Sequence, residues 1–129
     1  MSRNIACTLE SDKPFEVVSA AIEENSVANQ FRVLAVHDVQ STLAEKGFER
    51  GPLKIIEVCN GGFAHRALQK EPEVALFLPC KFAVYTDNEK TIVKLSRPSM
   101  IAELMPEASL EDLAGEVEKI LMKVMEASV

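Results

Sequence analysis

The C-terminal segment places the tightest limit on how this chain can fold. Leu113, Val117, Ile120, Leu121, Val124 and Met125 recur at i, i+4, i+7 and i+8, the rhythm that puts one apolar stripe along a helix. At 1.5 Å per residue such a helix is roughly 27 Å long. A stripe of that length must be buried against something equally long, and a β-sheet is the simplest platform. Ser109 is placed to cap this helix, with Asp112 at the third helical position, where a capping box holds Glu or Gln. Gly115 costs about 1 kcal/mol relative to Ala in a helix interior, so its presence implies a close approach to a neighbour.

The rest of the chain supplies the sheet. "RNIACTLE" alternates Ile5, Cys7 and Leu9 with polar residues and predicts a first strand. Ser11 or Asp12 is placed to cap a following helix, with Pro14 in its first turn. Phe15, Val18, Ala21 and Ile22 form its buried stripe, and Asn25 and Ser26 end it. "FRVLAVH" is apolar on both faces, which predicts an interior strand. Asp38 caps a short helix from Val39 to Lys46, its apolar face is Val39 and Leu43, and Gly47 stands where a left-handed C-cap is wanted. "PLKIIEVC" is a third strand. Asn60 caps a third helix from Gly61 to about Lys70, with Phe63, Ala64, Ala67 and Leu68 on one face.

After Pro72, "VALFLPCKFAVY" predicts a short extended piece, a break at Pro79 and a strand from Cys80 to Tyr85. "TDNEK" and "TIVKLS" complete a hairpin with a four- or five-residue loop. "RPSMIAELMPEA" is a connector with one helical turn. The fold class is α+β: a sheet ending in an antiparallel hairpin, helices packed on one face, and a long C-terminal helix. No linker, repeat or low-complexity segment interrupts the chain, so residues 1–129 form one domain. Both sides of several strands are apolar, and a homodimer would cover the second face.

Composition excludes several function classes. The net charge is −6, and without a basic cluster to neutralise phosphates nucleic-acid binding is not expected. No apolar run approaches the ~20 residues of a membrane helix, and "MSRNIACTLESD" has no apolar signal region, so a cytoplasmic location is expected. The 3 cysteines, Cys7, Cys59 and Cys80, form neither a disulfide framework nor a C-x-x-C metal or redox motif. The G-x-G-x-x-G, G-K-[ST] and G-x-S-x-G patterns are absent.

Chemistry concentrates in "EVCNGGFAHRAL", Glu57 to Leu68. Cys59 precedes a helix N-terminus, whose N–H groups favour a thiolate. Gly61 and Gly62 leave the backbone bare, so an anion can approach those N–H groups. His65 stands about one turn further on, as a base or metal ligand, and Arg66 is beside it. Cys80 can meet Cys59 if their strands are neighbours, and with His65 the pair would suit a soft metal such as zinc or copper(I). The alternative is structural: Cys59 is a buried small hydrophobe, the glycines only turn the chain, and His65 is a satisfied border residue. Cys7 belongs to the core and His37 to a strand end. Met100, Met105, Met122 and Met125 are core filler or, alternatively, the lining of a haem pocket. Glu23, Glu24, Glu116 and Glu118 are solvated helix faces.

Two stretches resemble the proteins grouped as domain of unknown function 302. "KPFEVVSAAIEENSVANQFRVLAVHDVQSTLAEKGFE" is similar to the family's N-terminal half. "KIIEVCNGGFAHRALQKEPEVALFLPCKFAVY" is similar to its central signature through Cys59-Asn60, His65-Arg66-Ala67-Leu68 and Leu78-Pro79-Cys80. The resemblance implies a compact α+β domain, usually a homodimer, from bacteria or archaea, with no settled activity. Two positions depart from the pattern. Gly61-Gly62 replaces a frequent Pro after Cys-Asn, and Arg97 replaces an Asp before the proline that follows the hairpin.

Three functions are therefore expected in turn. The first is a homodimeric binding protein for a soft metal, haem or small anion, using Cys59, Asn60, Gly61, Gly62, His65, Arg66 and Cys80. The second is a thiol-dependent enzyme or redox protein with Cys59 as nucleophile and His65 as base. The third is a protein–protein interaction module without chemistry.

Overall fold

The computed structural model describes residues 4–129; Arg3, at the start of the expected first strand, lies outside them. Strands β1 (Ala6–Ser11), β2 (Arg32–Asp38), β3 (Leu53–Cys59), β4 (Cys80–Asp87) and β5 (Lys90–Ser96) form one sheet in the order β1-β5-β4-β3-β2. Every neighbouring pair is antiparallel. Helices α1 (Phe15–Ala28) and α5 (Glu111–Ser128) pack side by side across one face, while α2 (Val39–Ala44), α3 (Gly61–Lys70) and α4 (Pro98–Leu104) are shorter. The architecture is the expected α+β sheet with a long C-terminal helix.

The core lies between the sheet and the two long helices. Val18 and Ile22 of α1 and Val117, Leu121, Val124 and Met125 of α5 meet Ile56, Val58, Phe82, Val84, Val93 and Leu95 of the sheet. Each such side chain contributes roughly 1.5–3 kcal/mol when fully removed from water. The helices approach each other through small side chains. Ser26 and Ser128 are buried, each bonding the carbonyl four residues back, and Asn25 Nδ2 donates to Ser128 Oγ at 3.0 Å. Serines turned onto their own helix take little room and leave no unpaired hydroxyl, so α1 runs through Ser26 instead of ending there.

Several local expectations are corrected. β2 is an edge strand, not an interior one. A register shift between Val33 and Ala35 breaks its alternation, leaving Leu34 50% exposed. A bulge of this kind turns a continuous apolar run outward and blunts the edge against pairing with other chains. The hairpin loop has two residues, Asn88 and Glu89, since Asp87 pairs with Lys90. Both have positive φ, 49° and 65°, as a type I′ turn requires to match the strand twist. Pro72–Phe77 is a 3₁₀ turn, not an extended piece; it buries Val74 and leaves Leu76 77% exposed.

The helix starts differ as well. Asp38 caps α2 as expected, its Oδ1 accepting from Ser41 N at 3.0 Å, and Gly47 has φ 82°. Neither Ser11 nor Asp12 caps α1: Ser11 Oγ accepts from Lys13 N, and Asp12 pairs with Lys90. Ser109 adopts a left-handed φ of 55° and does not cap α5, which begins after Leu110. Leu110 is buried in a satellite cluster with Val74, Ala102 and Met105, and seating it there takes precedence over a capping box.

Gly115 does not mark a close approach. A Cβ built on it meets no atom within 4 Å, and the residue is exposed. Gly115→Ala is therefore expected to raise stability by about 0.5–1 kcal/mol through helix propensity alone. Urea unfolding checks this, and a lower midpoint would show that the position is constrained after all.

Candidate functional site

Asn60 sets the geometry at the end of β3. Its backbone is extended (φ −109°, ψ 117°), and its Oδ1 accepts from Phe63 N at 3.1 Å, so it caps α3 as its residue type predicts. The other end of the same amide donates from Nδ2 to Gln30 O at 2.9 Å. Gln30 lies in the turn between α1 and β2 and has φ 64°. One side chain thus ties the start of α3 to the entry of β2. That link brings Phe63 against Phe31, with ring centroids 6.1 Å apart and planes 22° apart. Sequence alone gives the cap, but it does not show the bond to a carbonyl thirty residues earlier.

Behind the two rings is a small cavity of about 60 Å³ where the ends of β3 and β4 meet α3, α4 and α5. Phe31, Phe63, Ala67 and Leu113 are in its wall, together with Cys59 and Cys80. Asn60 is the one other polar side chain lining it among the described residues. Cys80 pairs across the strands with Val58, one residue before Cys59. The two cysteines thus stand on neighbouring strands and line the same cavity, and both thiols are free.

The expected site divides between inside and outside. Cys59, Asn60 and Cys80 line the cavity, while Gly61, Gly62, His65 and Arg66 are exposed and contribute nothing to its wall. Arg66 stacks on the outer side of Phe63, its guanidinium carbon 5.6 Å from the ring centroid. A Cβ on Gly61 would meet nothing within 4 Å, whereas one on Gly62 would sit 3.3 Å from Asn60 Oδ1. The second glycine therefore keeps space for the capping oxygen, and steric need accounts for only one of the pair.

The electrostatics run against an activated thiolate. Burial pushes the Cys59 thiol above its usual range, and no lowering influence offsets it. Cys80 is pushed up to about 11, first by burial and then by the nearby Cys59 sulfur, with Lys81 opposing. Cys7, packed against the main core as expected, is also raised, by burial and by Glu118, with Arg97 opposing.

These features bear on the expected ligands. Among the described residues no group of three or more His, Cys, Asp or Glu is placed to hold a metal ion. A cavity of about 60 Å³ is less than half the ~150 Å³ that admits benzene, so it has no room for a haem. Nor do the methionines gather around one space: Met125 is in the main core, Met122 packs against it, and Met105 belongs to the satellite cluster.

One other residue departs from the sequence reading. Glu118 is not a simple solvated face; it accepts from Ser99 N at 3.2 Å and from Ser99 Oγ at 2.6 Å, so α5 holds the first turn of α4 against the cavity. His37 is an exposed strand-end residue, with Nε2 3.3 Å from Glu57 Oε1.

Comparison with known proteins bears on the family and the fold. The family model described as "Domain of unknown function DUF302" matches residues 7–128. The chain is similar to an uncharacterized conserved protein, DUF302, from Bacillus stearothermophilus, whose crystal structure superimposes with a TM-score of 0.91 at 30% sequence identity. The match covers 98% of this chain and 99% of that one. The curated proteins give no match. With almost its whole length matched by the family, and its fold shared with a crystallised member, the chain belongs to the DUF302 family.

Proposed function

We propose that this chain is a binding protein whose cavity behind Cys59 and Cys80 takes a small uncharged apolar molecule, or the apolar end of a larger one. The observation that carries this reading is the wall itself: aromatic and aliphatic side chains with two protonated sulfurs. Polarisable sulfur makes favourable contacts with apolar and aromatic groups. An anion or a bare cation would lose its hydration there without a partner. A dry apolar cavity takes up xenon, so xenon is the probe of choice. Xenon titration followed by amide NMR is expected to shift residues around Ala67, Cys80 and Leu113. Ala67→Leu, which fills the space with a good helix former, is expected to abolish the response. An unchanged response in Ala67→Leu, or none in the unaltered protein, would overturn the reading.

The same wall makes nucleophilic chemistry at Cys59 unfavourable. At neutral pH all three thiols are expected to react with iodoacetamide more slowly than a free cysteine, and Cys80 is expected to begin reacting only as pH approaches about 11. The fold's stability should move with this titration. Below the usual 9.0 the Cys80 thiol is protonated in both folded and unfolded chains. Above it the unfolded chain loses its proton first, so stability declines as pH rises towards the folded value. Labelling of Cys59 faster than free cysteine would instead support the thiol-enzyme reading.

A second copy of the chain is our proposal for the uncovered sheet face. Alternation places Leu53, Ile55, Ala83 and Tyr85 there, with Glu10 and Glu57 and with Lys94. An apolar centre flanked by both signs of charge can match itself across a two-fold axis. Sedimentation at tens of micromolar is expected to give a dimer that Ala83→Glu converts to a monomer. A monomer before substitution would contradict it.

A further inference from the structure

A second recess lies on the other side of Cys80. It encloses about 160 Å³ and shares Cys80, Pro98 and Ile101 with the inner cavity. Leu76 and Phe77 of the 3₁₀ turn and Met100 of α4 form its apolar sides. Lys81 and Arg97 also line it, and no carboxylate does. In a chain of net charge −6, two cationic side chains thus stand beside apolar surface, one of them, Arg97, paired to a carboxylate outside the lining. The inner cavity has no cation in its wall, so the two spaces differ in chemistry.

The two cations are held differently. The Arg97 side chain is only 12% exposed. Its guanidinium donates to Asn4 O, to Ser99 Oγ at 3.0 Å and to the Glu103 carboxylate. A guanidinium has five N–H donors, so these three bonds leave capacity for another acceptor. Its acidic partner Glu103 is 58% exposed. The Lys81 ammonium donates to Pro79 O at 3.3 Å, which leaves further donors for a ligand.

We propose that this recess binds a small monocarboxylic acid whose apolar body is about the size of a benzene ring. The volume is close to the ~150 Å³ of an apolar cavity that admits benzene. The ring would rest against Leu76, Phe77, Met100 and Ile101. The carboxylate would meet Lys81 and the unused donors of Arg97, a charge-assisted pairing that Arg presents in a fork matched to carboxylates. This site does not depend on the inner cavity being a binding site.

The test is an amide-NMR titration at low salt with benzoate, using benzyl alcohol as the neutral isostere. Benzoate is expected to shift residues 76–81 and 97–101 and to bind about tenfold more tightly than the alcohol, as a charge-assisted contact requires. Lys81→Gln, at an exposed position, should remove most of that preference while leaving the xenon response of the inner cavity unchanged. Equal affinity for benzyl alcohol, an unaffected Lys81→Gln variant or the absence of shifts in these residues would each overturn the proposal. Sulfate shifting the same amides as strongly would overturn it too, since sulfate has no apolar body.

Discussion

The burial of one sheet face under α1 and α5 underlies everything else in this molecule. Leu121, Val124 and Met125 are fully buried against strands whose own inward side chains, Ile56, Val58, Phe82, Val84, Val93 and Leu95, are equally buried. Transfer of such surface from water is the dominant favourable contribution to folding, and here it fixes both the sheet register and the position of α5. Because α5 is anchored along its length, its outer groups become fixed supports. Glu118 can then hold α4, and Leu113 and Val117 can wall the cavity.

The candidate site grows out of that platform where the packing is incomplete. At the ends of β3 and β4 short elements join the start of α5 in closing the gap: α3, the 3₁₀ turn and α4. Asn60 holds α3 down at one side and Glu118 holds α4 at the other. The space left between them is apolar because the residues that seat these elements are apolar. The cysteines inherit that environment. Their raised pKa values follow from the same desolvation that holds the helices in place.

Long periodic segments carried most of the architecture in their sequence. The α5 stripe, the Asp38 and Asn60 caps and the β4–β5 hairpin all follow from local patterns, and local patterns are readable without tertiary knowledge. What stayed hidden depends on residues far apart. "FRVLAVH" looks like an interior strand because periodicity cannot reveal the bulge at Leu34. Ser109 looks like a cap because the pull on Leu110 from its satellite cluster is a tertiary effect. The site shows the same division. That Cys59 and Cys80 line one cavity goes with their places on adjacent strands. The separation of His65 and Arg66 from the cavity depended on which face of α3 turns inward, and Phe63, Ala64 and Ala67 decide that by packing.

The central claim is that Cys80, in the apolar wall it shares with Cys59, is kept protonated by burial above the usual thiol range. Infrared spectroscopy of the S–H stretch, with Cys80 assigned by comparison with Cys80→Ser, tests it most directly across rising pH. The account predicts that the Cys80 band persists well beyond the ~8.5 at which a free thiol ionises and fades only near about 11. Loss of the band at or below the free-thiol value would mean that water or a positive group reaches the sulfur, and the cavity described here would not be the environment of that residue.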